Sequence, residues 1–174
     1  MTDATTMRCG RISYTNDLPI YAAFDRGVVE FPGSLTSGVP AELNAAMLRG
    51  ELDCGPISSF FYAQHADEFA LLPGVCIGSR REVRSIYCLS AIAPDRLRDV
   101  RIAVTKESAT GRALFEAICR TWYGFTPAYF ESGDPLREYR ENGVPCVLIG
   151  DVAIDGSTSD PAHAYDLGTL WHGF

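Results

Sequence analysis

The sequence contains no apolar run long enough to cross a bilayer, and its most apolar stretches are strand-sized. It has no C-x-x-C pair among Cys9, Cys54, Cys76, Cys88, Cys119 and Cys146. Neither a disulfide framework nor a zinc site is therefore indicated. Most of these cysteines lie in apolar runs and read as small buried hydrophobes of a reducing compartment. An excess of positive charge is also missing. The formal net charge of -7 excludes a general nucleic-acid footprint. Met1–Met7 lacks the apolar core of a signal peptide, so a cytoplasmic location without membrane attachment is expected. No G-x-S-x-G, Walker loop or Rossmann fingerprint occurs, which removes the common hydrolase and nucleotide-enzyme classes. His65, His163 and His172 show no metal-ligand spacing, so they read as surface or structural histidines and no metal is expected.

What is present is a globular composition, with 47% hydrophobic and 21% charged residues. The elements alternate between strand and helix. Arg11–Thr15 reads as a strand, and Asn16 or Asp17 can cap a helix with Pro19 in its first turn. Ala41–Arg49 reads as a helix stopped by Gly50, with Leu43, Ala46 and Met47 on one face. Leu52–Gly55 is a short strand candidate, followed by a helix that Ser58 or Ser59 caps. Val75–Gly78 and Val83–Ser90 are further strand candidates, the second apolar on both faces as an interior strand should be. The polar stretch Pro94–Asp99 marks the expected boundary between lobes, with residues 1–92 in the first lobe and 93–168 in the second.

Beyond it, Arg101–Thr105 reads as a strand. Thr110–Tyr123 is the strongest helix, with Ala113, Leu114, Ala117, Ile118 and Trp122 in one stripe and Gly124 closing it. Tyr129–Phe130 and Cys146–Ile149 read as strands flanking a short helix near Pro135–Arg140. Gly156–Pro161 reads as a loop. This alternation predicts an α/β fold with a mostly parallel sheet covered on both faces. Ligands of such sheets sit beyond the carboxyl ends of the strands. Four polar turns have that location: Asn16-Asp17, Ser58-Ser59, Ser108-Ala109-Thr110 and Gly150-Asp151.

Helix-start amides and hydroxyls at Ser58-Ser59 and at Ser108-Ala109-Thr110 suit a carboxylate, although each turn also reads as a plain cap. Two such turns in separate β/α units together suit a dicarboxylate. Arg80, Arg81 and Arg84 form a basic cluster that either draws anions inward or is a solvated loop.

Several segments carry a resemblance. Gly10-Arg11-Ile12-Ser13-Tyr14-Thr15-Asn16-Asp17-Leu18-Pro19-Ile20 is similar to the opening block of the chorismate dehydratases of the futalosine route to menaquinone. Val39-Pro40-Ala41-Glu42-Leu43-Asn44 and Leu48 through Ser58 resemble that family's next block. Val83-Arg84-Ser85, Leu148-Ile149-Gly150-Asp151 and Tyr165-Asp166-Leu167-Gly168 follow in family order.

The resemblance implies a fold similar to type II periplasmic binding proteins: two α/β lobes, a hinge and a ligand cleft. It implies a hydro-lyase that removes water from chorismate, a small-molecule substrate, with no cofactor. It places the catalytic Asn on Asn16 and the catalytic Ser on Ser85, and no role falls on Arg80, Arg81 or Arg84. Relatives continue past Trp171-His172-Gly173-Phe174, so residues 169–174 are expected to begin a return to a first lobe whose C-terminal part is missing. A homodimer is compatible with the sequence. The competing reading is a non-catalytic binding module of the same architecture; a weaker one is the sister enzyme acting on a cyclic futalosine derivative.

Overall fold

The structure, a computed structural model, describes residues 6–106 and 108–173. The chain divides into two compact units, Met1–Ile77 and Gly78–Phe174. The division falls before the expected boundary after residue 92, because Ile86–Leu89 is a strand of the second unit's sheet.

In the first unit, β1 (Met7–Ile12) and β2 (Gly33–Gly38) run parallel in register from Met7 opposite Gly33 to Ile12 opposite Gly38. On the other edge of β1, the Cys54 segment forms a single parallel bridge at Cys9, with Gly10 N–H donating to the Cys54 carbonyl at 2.8 Å. Helices α1 (Leu18–Asp25), α2 (Pro40–Leu48) and α3 (Ser59–Gln64) follow the three extended segments in turn. Gly10 is needed where β1 meets its cover, since a Cβ there would stand 3.0 Å from Leu52 Cδ1. Tyr21 of α1 is buried, and its hydroxyl donates to the Gly10 carbonyl at 3.0 Å.

The second unit is built on a five-stranded sheet. Its strands are β3 (Ile86–Leu89), β4 (Arg101–Val104), β5 (Ala128–Glu131), β6 (Cys146–Ile149) and β7 (Ala164–Asp166), in spatial order β5-β4-β6-β3-β7. β4 is parallel to both β5 and β6, whereas β3 is antiparallel to β6 and β7. The helices are α4 (Ala109–Ile118), α5 (Pro135–Asn142), α6 (Gly150–Ser159) and α7 (Leu167–His172). Successive strand residues point to opposite faces, so each strand feeds two cores. Ile102, Val104, Cys88 and Val147 pack with Phe115, Cys119 and Leu167 on one face. Ala103, Leu89, Cys146 and Leu148 pack with Leu136, Tyr139 and Ala153 on the other. α4 runs on into a wide helical turn, Cys119–Tyr123, that ends at Gly124 with φ 71°.

Several expectations are corrected. The first strand is Met7–Ile12 rather than Arg11–Thr15, because Ser13 onward turns into a short 3-10 helix, Thr15–Asp17. Leu52–Gly55 makes one bridge rather than a strand, and Val75–Gly78 is unpaired, with Val75 and Ile77 exposed. Gly156–Pro161 is not a loop as far as Ser159: it continues α6, where Gly156 is buried against Leu89 and Leu136. Residues 167–172 form α7 within the second unit, with Trp171 edge-on to Trp122 at 4.9 Å. All six cysteines are free. Cys76 is exposed, Cys54 is half-buried, and the other four are buried as expected.

Candidate functional site

The sequence-selected residues of the second unit come together at one end of its sheet. Strands β4 and β6 are parallel, so their carboxyl ends lie side by side, and β3 begins there because Ile86 stands opposite Ile149. Ser85, half-buried, immediately precedes β3, and its carbonyl accepts from Gly150 N–H at 2.8 Å. Gly150, with φ 69°, opens α6, and Asp151 follows it exposed. The start of α4 reaches the same edge: a Cβ on Gly111 would stand 3.2 Å from both Ile86 Cγ2 and Ile149 Cγ2. The fold thus brings together Ser85, Gly150-Asp151 and the Ser108-Ala109-Thr110 turn.

Ser108 does not act as the expected side-chain cap. It is 1% exposed, and its hydroxyl pairs with Thr105 Oγ1 at 3.0 Å, while its carbonyl accepts from Arg112 N–H at 2.8 Å. Ala109 and Thr110 are the first residues of α4. Glu107 lies outside the described residues.

In the first unit, β1, β2 and the Cys54 segment are all parallel, so the turns that follow them lie at one edge. Asn16 sits exposed in the 3-10 turn after β1. Ser58 ends the Cys54 segment and caps α3, its hydroxyl accepting from Phe61 N–H at 3.1 Å; Ser59 is exposed as the first residue of that helix. The plain capping reading therefore holds for Ser58.

Asp17 departs from its expected capping role. Its carboxylate makes no cap bond to α1 and instead accepts from Ile12 N–H at 3.0 Å. The residue is 0% exposed, and its Oδ1 has no hydrogen-bond partner among the described residues. Burial raises its pKa above the ordinary carboxylate value, against the Ile12 hydrogen bond and the nearby Arg11 charge, which lower it. Arg11 itself is held by Asp25 in a two-bond fork of 2.6 and 2.7 Å and lies over the Tyr21 ring. Arg80, Arg81 and Arg84 are all exposed, and Arg84 has φ 62°. His65 pairs with Glu68 at 2.7 Å and His163 with Asp160 at 3.1 Å, both as local i,i+3 contacts.

Sequence reasoning gave Asp17 the wrong partner and gave Asp166 no role, although both shape these turns. The second was legible as a cap, because it stands three residues before Thr169 at the start of a helix.

The family described as menaquinone biosynthesis matches residues 7–174. The chain belongs to this family. A chorismate dehydratase from Thermus thermophilus is 33% identical over 157 residues, covering 76% of this chain and 54% of that protein. The chain therefore spans about half the length of the curated relative it matches. Among solved structures, protein AF1704 from Archaeoglobus fulgidus matches with a TM-score of 0.65 at 17% identity, over 98% of this chain and 62% of that one. The periplasmic aliphatic sulphonate binding protein SsuA from Escherichia coli matches with a TM-score of 0.54 at 13% identity, over 94% of this chain and 60% of that one. These likenesses show the fold, which is of the periplasmic-binding-protein type, as the residue blocks implied. No helix among the described residues is long and apolar enough to cross a membrane.

Proposed function

We propose that the chain carries a chorismate-dehydratase activity: elimination of water from chorismate to give 3-[(1-carboxyvinyl)oxy]benzoate, in the futalosine route to menaquinone. The reading is supported by one observation above others. In a chain a third identical to a chorismate dehydratase over 157 residues, Ser85 is tied by its own carbonyl to Gly150 at the sheet edge where ligands of α/β sheets bind.

The reaction breaks the C–H bond at the ring carbon bearing the enolpyruvyl ether and the C–O bond of the adjacent hydroxyl. The ring becomes aromatic, and water leaves. The step is redox-neutral, and no metal or organic cofactor is proposed for it. Asn16 and Ser85 are the proposed catalytic residues. An Asn amide hydrogen-bonds a hydroxyl or carboxylate, and a Ser hydroxyl positions or relays a proton, but neither is a base at neutral pH. The substrate's enolpyruvyl carboxylate is therefore the proposed proton acceptor, with the protein supplying geometry.

Ser58-Ser59, Ser108-Ala109-Thr110 and the Gly150-Asp151 turn are proposed to hold the two substrate carboxylates; because Gly150 N–H is given to the Ser85 carbonyl, the donor proposed at that turn is the Asp151 N–H. At Asp151 only the backbone N–H suits an anion, because the side chain repels one. The proposed setting is cytoplasmic.

Incubation of the purified chain with chorismate, followed by mass spectrometry, tests this reading. A product lighter than chorismate by one water, with the ultraviolet absorption of a benzoate, is expected. Saturable chorismate binding without that product would instead identify a non-catalytic binding module of the same fold.

A further inference from the structure

Asp166 is the last residue of β7, 9% exposed, and its carboxylate accepts three backbone N–H groups. Oδ1 takes Val83 N–H at 3.1 Å and Thr169 N–H at 2.9 Å, while Oδ2 takes Arg84 N–H at 2.6 Å. The Thr169 bond caps α7. Caps elsewhere in the chain, Ser58 to Phe61 and Asp134 to Arg137, each use a single such bond. Capping therefore leaves two of the three bonds at Asp166 unexplained, and both go to the two residues immediately before Ser85.

Those residues need holding. Arg84 has φ 62°, a left-handed backbone that a bulky side chain disfavours and that persists only where its surroundings fix it. From the same turn, Gly168 lets the segment approach. A Cβ there would stand 2.1 Å from the Arg81 carbonyl oxygen and 3.0 Å from Val83 N. Beyond Arg84, the Ser85 carbonyl accepts from Gly150 N–H at 2.8 Å, and Ile86 enters the sheet opposite Ile149. The backbone at Ser85 is thus fixed from both sides, by a carboxylate before it and a strand after it.

We propose that Asp166, with Gly168, is a positioning residue for Ser85: its second carboxylate oxygen locks the left-handed turn at Arg84 and so sets where the Ser85 hydroxyl points. This inference rests on the catalytic reading of Ser85 given above. Its consequence is a separation of roles within one side chain. A serine at position 166 reaches Thr169 as a cap but is too short to hold the 83–84 segment as well.

The test compares chorismate turnover by the full chain with that of D166S, G168A, S85A and the D166S/S85A double variant, alongside amide hydrogen exchange at Val83, Arg84 and Thr169. D166S is expected to lower kcat by about 10–100-fold with KM little changed, as a displaced reactive group does. G168A, which keeps the carboxylate but pushes the segment away, lowers kcat in the same manner. In D166S the Arg84 amide loses protection and Thr169 keeps it, and in the S85A background D166S has no further effect on residual turnover. The proposal is overturned if D166S turns over like the parent, if its effect multiplies fully on top of S85A, or if the Arg84 amide stays protected. If S85A itself retains near-parental turnover, or the parent consumes no chorismate, the catalytic reading of Ser85 falls and this proposal falls with it; D166S results alone leave that reading standing.

Discussion

Replacing Gly156 with Ala reverses the usual sign of a Gly→Ala change in a helix. At an open helical position the substitution stabilises by about 1 kcal/mol, because glycine has more backbone freedom to lose. Gly156 lies in α6 on the face that meets the sheet, where a Cβ would stand 2.6 Å from Leu89 Cδ1 and 3.1 Å from Leu136 Cδ1. Carbon atoms pack best at about 3.5–4.0 Å, so one neighbour has to move by roughly 1 Å and the other by about half that. Leu89 is fully buried among Leu148, Cys146 and Ala153, which leaves its δ-methyl nowhere easy to go. Overpacking of this kind costs about 1–3 kcal/mol; with two buried leucines pressed at once the upper part of that range applies, about 2–3 kcal/mol, so a net loss of about 1–2 kcal/mol remains after the helix gain.

The protein offers a direct assay. Its two tryptophans, Trp122 and Trp171, both lie in the second unit, so their fluorescence during urea unfolding reports on that unit. G156A should shift the midpoint down with an unchanged slope. In the G156A background, L89V should cost less than in the parent, with a coupling of about 1 kcal/mol, since it removes the clashing atom. A G156A chain as stable as the parent, or more so, would refute the packing argument.

Further predictions follow the same physics. Phe115→Ala, which empties the fully buried centre of the core beneath α4, should cost about 3–5 kcal/mol in the same fluorescence assay. Burial raises the Asp17 pKa above its ordinary 3.8, so its contribution to stability is full below that value and is lost as pH rises through the raised one. D17N should therefore flatten that part of the pH dependence, read from hydrogen exchange of first-unit peptides, and an unchanged profile would count against burial as the cause. Asp53 is the opposite case. Its hydrogen bonds from the Arg8 side chain and backbone hold its pKa at about 2, so its contribution is present above 3.8 and is lost as pH falls toward 2. A carboxyl-carbon NMR titration of Asp53 with an ordinary midpoint would contradict that pairing.

Much of the second unit was legible because its strands are apolar on both faces. Cys146–Ile149 and Arg101–Val104 stand out in the sequence for that reason; the α4 helix was legible too, but its buried face is Gly111, Phe115 and Ile118, of which the expected stripe held only Ile118. The first unit was harder to read. β2, Gly-Ser-Leu-Thr-Ser-Gly, has little apolar signal and exists because β1 pairs along its whole length. α6 was obscured by Gly156 and its Ser/Thr neighbours, whose hydroxyls bond back to carbonyls within the helix rather than breaking it. The convergence of Ser85 with Gly150 and α4 depends on β3 entering antiparallel between β6 and β7, a crossover that strand periodicity cannot reveal. Asp17 read as a cap because Asp precedes Pro19 by two residues. Its turn back to Ile12 is a tertiary choice that local pattern does not encode.

In the proposed reaction Asn16 and Ser85 guide the loss of water while other groups bind the substrate. Chorismate affinity by calorimetry, measured with turnover for N16A and S85A, tests that division of roles most directly. Turnover reduced by about 10²–10³-fold in each variant, with binding largely retained, is expected. Near-parental turnover in either variant, or binding and turnover lost in equal measure, would contradict it.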